Sequence, residues 1–136
     1  MSYLLDTNVV YEFRKRERDA AFSAWFEQVD QNELVLSALV IGEIAGGVAR
    51  LELRRDARQA SLVERWLAEV KDAFSDRILP VSTAIAERWG RLQAVRPLPF
   101  VDGLLAATAL EYDLTLVTRD AAVADTDVRL LDPWAA

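Results

Sequence analysis

The chain has no cysteine and no histidine among its 136 residues. These absences exclude disulfides, thiolate and imidazole zinc sites, Ser-His-Asp and Cys-His triads, and histidine-based acid–base cleavage of RNA. Catalysis would have to use carboxylates, hydroxyls, arginines, the two lysines Lys15 and Lys71, or a metal ion held by oxygen. Oxygen ligands select hard cations such as Mg²⁺ or Mn²⁺.

Long apolar runs are also missing. None approaches the roughly 20 residues that a membrane-spanning helix needs, and the N-terminus lacks a basic segment followed by a secretory apolar stretch. With 52% apolar residues, the 136-residue chain predicts a single domain, residues 1–136, with a substantial core. We expect a soluble, cytoplasmic protein with no membrane partner.

Short apolar segments alternate with helical patterns along the chain. Strands are predicted at residues 3–5, 33–36, 78–81, 115–117 and 128–131. Helices are predicted from residue 38 to about 53 with Ser37 as the N-cap, over residues 62–74, after Ser82 or Thr83, and from residue 100 to about 112. Strands separated by helices predict an α/β protein, with a parallel sheet and helices on both faces.

Two aspartates follow predicted strands directly. Asp6 comes after the first strand, and Asp120 comes shortly after the strand at residues 115–117. The plain interpretation of Asp6-Thr7-Asn8 is a capping turn, because such side chains accept hydrogen bonds from unpaired N–H groups. Ligands of parallel α/β sheets, however, bind beyond the carboxyl ends of the strands, which is where both aspartates lie.

Asp102 reaches the same edge from the opposite direction. A helix from Asp102 to Tyr112 descends about 15 Å, and the following strand climbs back about 16 Å, so Asp102 should end beside Asp120. It also shares a helix face with the apolar residues that pack on the sheet. The structural alternative is a carboxylate that complements the positive helix N-terminus.

Glu43 is the fourth candidate, on the helix predicted after Ser37. Helical side chains point back toward the N-terminus, so a glutamate can reach the sheet edge from the second turn. Gly46-Gly47 would cost about 1 kcal/mol per residue relative to alanine, which indicates a close approach to the backbone there. The alternative is an exposed glutamate beside a flexible spot.

Together, the four acids predict a divalent cation, because crowded carboxylates repel one another unless protonated or metal-bound. Asp6 is then a metal ligand, while Thr7 and Asn8 cap the helix and orient the site.

Four segments make the sequence resemble the PIN-domain ribonucleases, specifically the VapC toxins of bacterial toxin–antitoxin modules. They read LLDTNVV, LSALVIGEIAGGV, PLPFVDGLLAATALEYDLTLVTRD and LLDPW. The resemblance implies a five-stranded sheet of order 3-2-1-4-5. It also implies that Asp6, Glu43, Asp102 and Asp120 are the catalytic, metal-binding acids and that Thr118 is a polar residue of the site. Many relatives carry a further acid after the residue matching Asp120; here Asp125 is the nearest substitute, and we do not count it as a ligand.

The resemblance further implies hydrolysis of RNA phosphodiesters, in tRNA or other structured RNA, by water activated with Mg²⁺ or Mn²⁺. It implies a homodimer and a small VapB-like antitoxin that covers the acidic pocket, with DNA bound only through the antitoxin. The apolar helices at residues 38–53 and 62–74 would offer the antitoxin its groove. The alternative function is a non-catalytic or weakly catalytic component of an antitoxin-linked, DNA-binding regulatory complex.

Two further considerations bear on function. A phosphoacceptor receiver domain also gathers acids at a parallel sheet edge, but it needs a lysine after a late strand, and neither Lys15 nor Lys71 lies there. Two basic clusters could follow an RNA backbone despite the net charge of −6. They comprise Arg14, Lys15, Arg16 and Arg18, and Arg50, Arg54, Arg55 and Arg58. Solvated helix faces interleaved with acids are the alternative.

Overall fold

A parallel five-stranded sheet forms the centre of the protein, in a computed structural model that describes residues 1–135. The strands are β1 (Tyr3–Leu5), β2 (Leu34–Ser37), β3 (Ile78–Leu79), β4 (Thr115–Val117) and β5 (Leu130–Leu131). Their order is β3-β2-β1-β4-β5, and every neighbouring pair is parallel. The predicted fold class and strand order are therefore confirmed.

Helices connect the strands. They are α1 (Thr7–Arg14), α2 (Ala20–Gln28), α3 (Ala38–Leu53), α4 (Ala57–Ala73), α5 (Thr83–Val95) and α6 (Phe100–Tyr112). Ser37 and Ser82 accept hydrogen bonds from the first turns of α3 and α5, as predicted for N-caps. None of the helices within residues 1–135 is long and apolar enough to cross a membrane.

Several predicted bounds change in the structure. The second strand begins at Leu34, because Glu33 belongs to a short 3₁₀ turn. The third strand ends at Leu79, just before Pro80, which lacks the N–H that a further ladder bond requires. The last strand begins only at Leu130, since Val128 is still held in a turn by Thr126.

Helix α2 was not predicted from the sequence. Asp19 caps it by accepting a hydrogen bond from the Phe22 N–H at 3.0 Å. Its apolar positions are aromatic, and Phe22, Trp25 and Phe26 pack together and against Phe13. Aromatic residues are middling helix formers, so tertiary packing rather than local propensity stabilises this helix.

The two faces of the sheet carry separate cores. Leu4 and Leu116 point into the layer that contains α6, whereas Leu5 and Val117 point into the layer built by α1 to α4. This alternation follows from the strand period of two. All four side chains are buried, so the two central strands have no solvated face and anchor both helical layers.

Glu12 is a buried carboxylate that ties α1 to the next helix and to the C-terminal segment. Its side chain accepts hydrogen bonds from the Asp19 N–H and from Lys15 Nζ, both at 3.0 Å. Burial alone would raise the pKa of Glu12, but these bonds, the Lys15 charge and the Trp134 side chain lower the pKa below its usual 4.5. The Trp134 ring in turn lies 4.1 Å from the Arg119 guanidinium.

We expect Glu12→Ala to lower the free energy of unfolding by about 1–3 kcal/mol, because it leaves the Asp19 N–H without its partner. Glu12→Gln should cost less. Since the folded pKa is lowered, the carboxylate stabilises the protein above pH 4.5, and this contribution is lost as the pH falls through the folded value. The loss of unfolding free energy caused by Glu12→Gln should therefore be smaller at acidic than at neutral pH, as measured by urea denaturation at both pH values.

Glu17→Gln is the matched control, because Glu17 is exposed on the neighbouring loop. It should leave stability unchanged at either pH. A Glu12→Gln deficit that is equal at neutral and acidic pH would contradict the role assigned to the Glu12 charge.

Candidate active site

The site begins where the two central strands end. The Leu5–Val117 register continues one residue further, since the Asp6 N–H donates to the Val117 carbonyl at 3.0 Å. Thr118 Oγ1 then donates to Asp6 Oδ2 at 2.7 Å. The strand order reverses between β1 and β4, so Asp6 and Thr118 lie at the topological switch point of the sheet.

Asp6 caps α1, which confirms the capping interpretation, and its other carboxylate oxygen faces the candidate site. Its Oδ1 accepts from the Thr7 N–H at 2.7 Å, and its Oδ2 faces Thr118. The prediction that Thr7 and Asn8 cap the helix is wrong. Asp6 is the N-cap residue, and Thr7 is already the first residue of α1. Asn8 is exposed, and within residues 1–135 its side chain makes no hydrogen bond.

Glu43 reaches the same edge from α3. Its Oε1 accepts a short hydrogen bond from Thr7 Oγ1, which joins α3 to the start of α1. The predicted close approach at Gly46-Gly47 is confirmed. A Cβ at Gly46 would lie 3.3 Å from Arg50 Nη1, and one at Gly47 would lie 3.2 Å from the Tyr11 hydroxyl.

Asp102 lies in the first turn of α6, whose N-cap residue, Pro99, provides no side-chain hydrogen bond. Its position depends on two residues that the sequence did not single out. Gln93 both donates to and accepts from the Leu98 backbone, at 3.0 and 2.9 Å, which fixes the segment before the helix. A Cβ at Gly103 would lie 3.1 Å from Trp89 and Gln93, so glycine permits close packing of α6 on α5.

No sequence pattern indicates the positioning role of Gln93. It is one polar residue on an amphipathic helix, and its partner backbone lies in a proline-flanked loop. Gly103 follows Asp102 directly, and a glycine inside a helix is itself a signal of close approach. The glycine at position 103 therefore indicates, from the sequence alone, that another element packs closely against the start of this helix.

Asp120 completes the set from the loop after β4. Its N–H donates to Thr118 Oγ1 at 3.0 Å, and its Oδ1 accepts from the Ala122 N–H at 2.9 Å. Thr118 therefore contacts both Asp6 and Asp120. Asp125 lies in an exposed turn with a left-handed backbone, φ 64°, and is absent from the charges that act on Asp102.

The electrostatics show that the four predicted acids form one cluster. Burial is the largest cause that raises the pKa of Asp102, to about 6. Hydrogen bonding and charge repulsion from Asp120 come next, followed by the charges of Asp6 and Glu43. The cluster is thus a partly desolvated group of like charges.

The donor set fits a hard divalent cation, because every candidate ligand is a carboxylate oxygen. The side chains are not closed around an ion. Within residues 1–135, no three acidic residues are arranged closely enough to hold a metal, and Thr118 and Thr7 occupy one oxygen each of Asp6 and Glu43. A cavity of about 390 Å³ opens beside Glu43, with mainly apolar walls formed by α3, Val81 and Val101.

A family model described as PIN domain matches residues 3–129. The chain belongs to the PIN-domain family. The resemblance noted from the four sequence segments is thereby confirmed, including its VapC-type character, which the names of its relatives support.

Relatives and solved structures match this PIN domain over nearly its full length. Toxin FitB of Neisseria gonorrhoeae is 30% identical over 96% of this chain and 97% of its own. VapC ribonuclease Y4jK of Sinorhizobium fredii is 29% identical over 96% of each chain. The structure of FitAB bound to an IR36 DNA fragment superposes with a TM-score of 0.87 at 26% identity, covering 98% of this chain and 96% of that one.

Asp102→Asn should stabilise the metal-free protein, and more so at pH 8 than at pH 5. The raised pKa means that the folded state favours protonated Asp102. This stabilisation is complete below pH 3.8 and is lost as the pH rises through about 6. Asparagine has the same shape as aspartic acid and does not ionise, so the variant does not lose stability as the pH rises. Thermal melts in EDTA at the two pH values provide the measurement.

Asp125→Asn is the control, since Asp125 lies outside the cluster and asparagine tolerates its left-handed backbone. It should show no such pH dependence. If Asp102→Asn destabilises the protein equally at both pH values, Asp102 acts as a structural cap instead.

Proposed function

We propose that this PIN domain is a metal-dependent endoribonuclease, the toxin of a toxin–antitoxin system. The observation that carries the proposal is the convergence of Asp6, Glu43, Asp102 and Asp120 at the switch point of the sheet. Burial and the charges of the other three acids raise the pKa of Asp102, and a bound cation would relieve the repulsion among them. The relative named VapC ribonuclease Y4jK supports RNA as the substrate.

The four carboxylates would hold Mg²⁺ or Mn²⁺. When bound, the ion lowers the pKa of a water molecule and offsets charge on the leaving oxygen. Thr118 positions Asp6 and Asp120, and Thr7 positions Glu43, through the hydrogen bonds described above. These hydrogen bonds restrain the side chains of Asp6 and Glu43 and the backbone of Asp120, and restrained ligands are a condition for aligning water with a phosphodiester.

The reaction is hydrolysis without a covalent enzyme intermediate. Water attacks phosphorus, the bond from phosphorus to the 3′ oxygen breaks, and that oxygen leaves as a hydroxyl after taking up a proton. The products are a 5′-phosphate and a 3′-hydroxyl. By resemblance to the VapC toxins, the substrate is tRNA or another structured RNA.

The partners are a small antitoxin and a second copy of this chain. The solved structure of FitAB bound to a DNA fragment supports a complex that binds DNA. By resemblance to the VapC toxins, the antitoxin would make the DNA contacts. The apolar cavity beside Glu43 would offer the antitoxin a path to the carboxylates. Helix α3, which was predicted as part of the antitoxin groove, forms one wall of this cavity, whereas the apolar face of α4 is buried in the core.

The same DNA-bound structure favours the alternative function, a non-catalytic or weakly catalytic member of a DNA-binding regulatory complex. The two functions differ in what the isolated protein does. An endoribonuclease cleaves RNA by itself when Mg²⁺ is present, whereas a regulatory component does not.

The purified protein should cleave total RNA with Mg²⁺ or Mn²⁺ and stop in EDTA, and the fragments should carry 5′-phosphates. Zn²⁺ should bring no advantage, because the chain has no thiolate or imidazole ligand. Asp6→Asn and Asp102→Asn should each lower the cleavage rate by two or more orders of magnitude, since a ligand to the catalytic ion is lost, about 3 kcal/mol or more.

Asp72→Asn is the matched control, an exposed aspartate on α4, and should cleave at the wild-type rate. Cleavage that persists after thorough chelation would refute the metal mechanism. Absence of cleavage under every metal, by protein with a normal melting temperature, would favour the regulatory alternative.

Size-exclusion chromatography with light scattering should give the mass of a homodimer, twice 15.3 kDa. The reason is the symmetric assembly implied by the resemblance to VapC toxins. A monomeric mass at every concentration would contradict the dimer.

A further inference from the structure

Helices α1 and α3 carry matching stripes of residues that run away from the carboxylates. Thr7, Tyr11 and Arg14 are spaced i, i+4, i+7 along α1. Glu43, Gly47 and Arg50 have the same spacing along α3. Because such positions share a helix face, each stripe forms a line that starts at the active site and ends in an arginine.

Residues of the α1 stripe lie against residues of the α3 stripe at successive helical turns. Thr7 donates to Glu43 at the site, and one turn further the Tyr11 hydroxyl lies 3.2 Å from where a Gly47 Cβ would be. The Arg50 guanidinium folds back toward Glu43 over Gly46, where a Cβ would come within 3.3 Å of its Nη1. Two successive glycines thus make room for the hydroxyl and the guanidinium.

Arg14 and Arg50 converge on the same tyrosine. The Tyr11 hydroxyl and Arg50 Nη2 lie 3.2 and 3.9 Å from the same point, the position of a Gly47 Cβ. Burial is the main cause that raises the pKa of Tyr11; the charges of Arg14 and Arg50 lower this pKa, and the charge of Glu43 raises it. Tyr11 is held in place by the Trp66 ring at 5.1 Å, and Arg14 lies over the same ring at 5.7 Å.

Neither guanidinium forms an ion pair with an acid within residues 1–135, although Asp and Glu outnumber Lys and Arg by 22 to 16 in this chain. A guanidinium that no carboxylate occupies keeps its N–H donors available for an anion. Arg50 begins seven residues, or about 10 Å, beyond Glu43 along the helix, and its side chain points back toward the carboxylates.

We propose that Arg14 and Arg50, with Tyr11 between them, bind a backbone phosphate of the RNA strand next to the phosphodiester that is cleaved. The inference rests on the proposed ribonuclease function and adds to it a substrate subsite on the α1/α3 side of the site. Guanidinium groups suit the task because they bind phosphate through two parallel hydrogen bonds. The tyrosine hydroxyl supplies one more donor at the same place.

Binding of a fluorescein-labelled, single-stranded RNA of mixed sequence, measured in EDTA so that no strand is cut, tests the subsite. Arg50→Gln and Arg14→Gln should each weaken binding about tenfold at 0.1 M salt. Each should also reduce the slope of log affinity against log salt by about one, as expected when one phosphate contact is lost. With Mg²⁺, the KM for RNA cleavage should rise while kcat stays near the wild-type value.

Arg91→Gln is the matched control, because it removes the same charge from an exposed position on α5. It should leave affinity and salt slope unchanged. Arg50→Lys keeps the charge and should retain the salt slope while losing part of the affinity. Melting temperatures of all variants verify that each one folds.

The proposal is overturned if Arg50→Gln and Arg91→Gln weaken RNA binding equally, or if neither weakens it. It is also overturned if the folded wild-type protein binds no RNA at low salt. Because this assay requires no cleavage, it separates the two proposals. A protein that binds RNA through Arg14 and Arg50 and cleaves none would keep the phosphate-binding role of these arginines and refute the nuclease.

Discussion

The pairing of β1 with β4 at the centre of the sheet is the interaction on which the rest of the site depends. The hydrogen bond from the Asp6 N–H to the Val117 carbonyl extends that ladder by one residue, to the point where the strand order reverses. It sets Asp6 beside Thr118, and Thr118 in turn holds Asp120. Leu5 and Val117 precede Asp6 and Thr118 in their strands and are fully buried, so core packing restrains this edge of the sheet.

Above that fixed edge, function and stability oppose each other. The carboxylates are brought together by α3, α6 and two strand ends, where burial and their repulsion both raise the pKa of Asp102. The threonines moderate it by donating hydrogen bonds to Asp6 and Glu43, while positive charge is kept further along α1 and α3. The PIN domain thus separates charges by sign over a few helical turns, and a net charge of −6 conceals this separation.

Much of the fold follows from local pattern. Short apolar runs between serine-capped helices predicted the α/β class and the bounds of α3 and α6, because strand and helix periods and capping chemistry are properties of a few consecutive residues. The four acids were predicted for the same reason: Asp6 and Asp120 come shortly after strands, and Asp102 and Glu43 lie in the first two turns of helices, so their height can be counted along the chain. The 3-2-1-4-5 order came from the family resemblance, and α2, built from aromatic residues, was missed because its stability comes from distant partners.

The sequence by itself therefore determined most of the strands and helices, the chemistry available without cysteine or histidine, and the sheet edge where the acids gather. Only the tertiary structure decided which groups touch: Thr7 with Glu43, Thr118 with two aspartates, Gln93 with the loop that sets the height of Asp102, and Arg50 over Gly46. These contacts join residues of separate elements, up to 112 positions apart along the chain. Their distances depend on how helices pack on the sheet, and no periodicity within one segment encodes that packing.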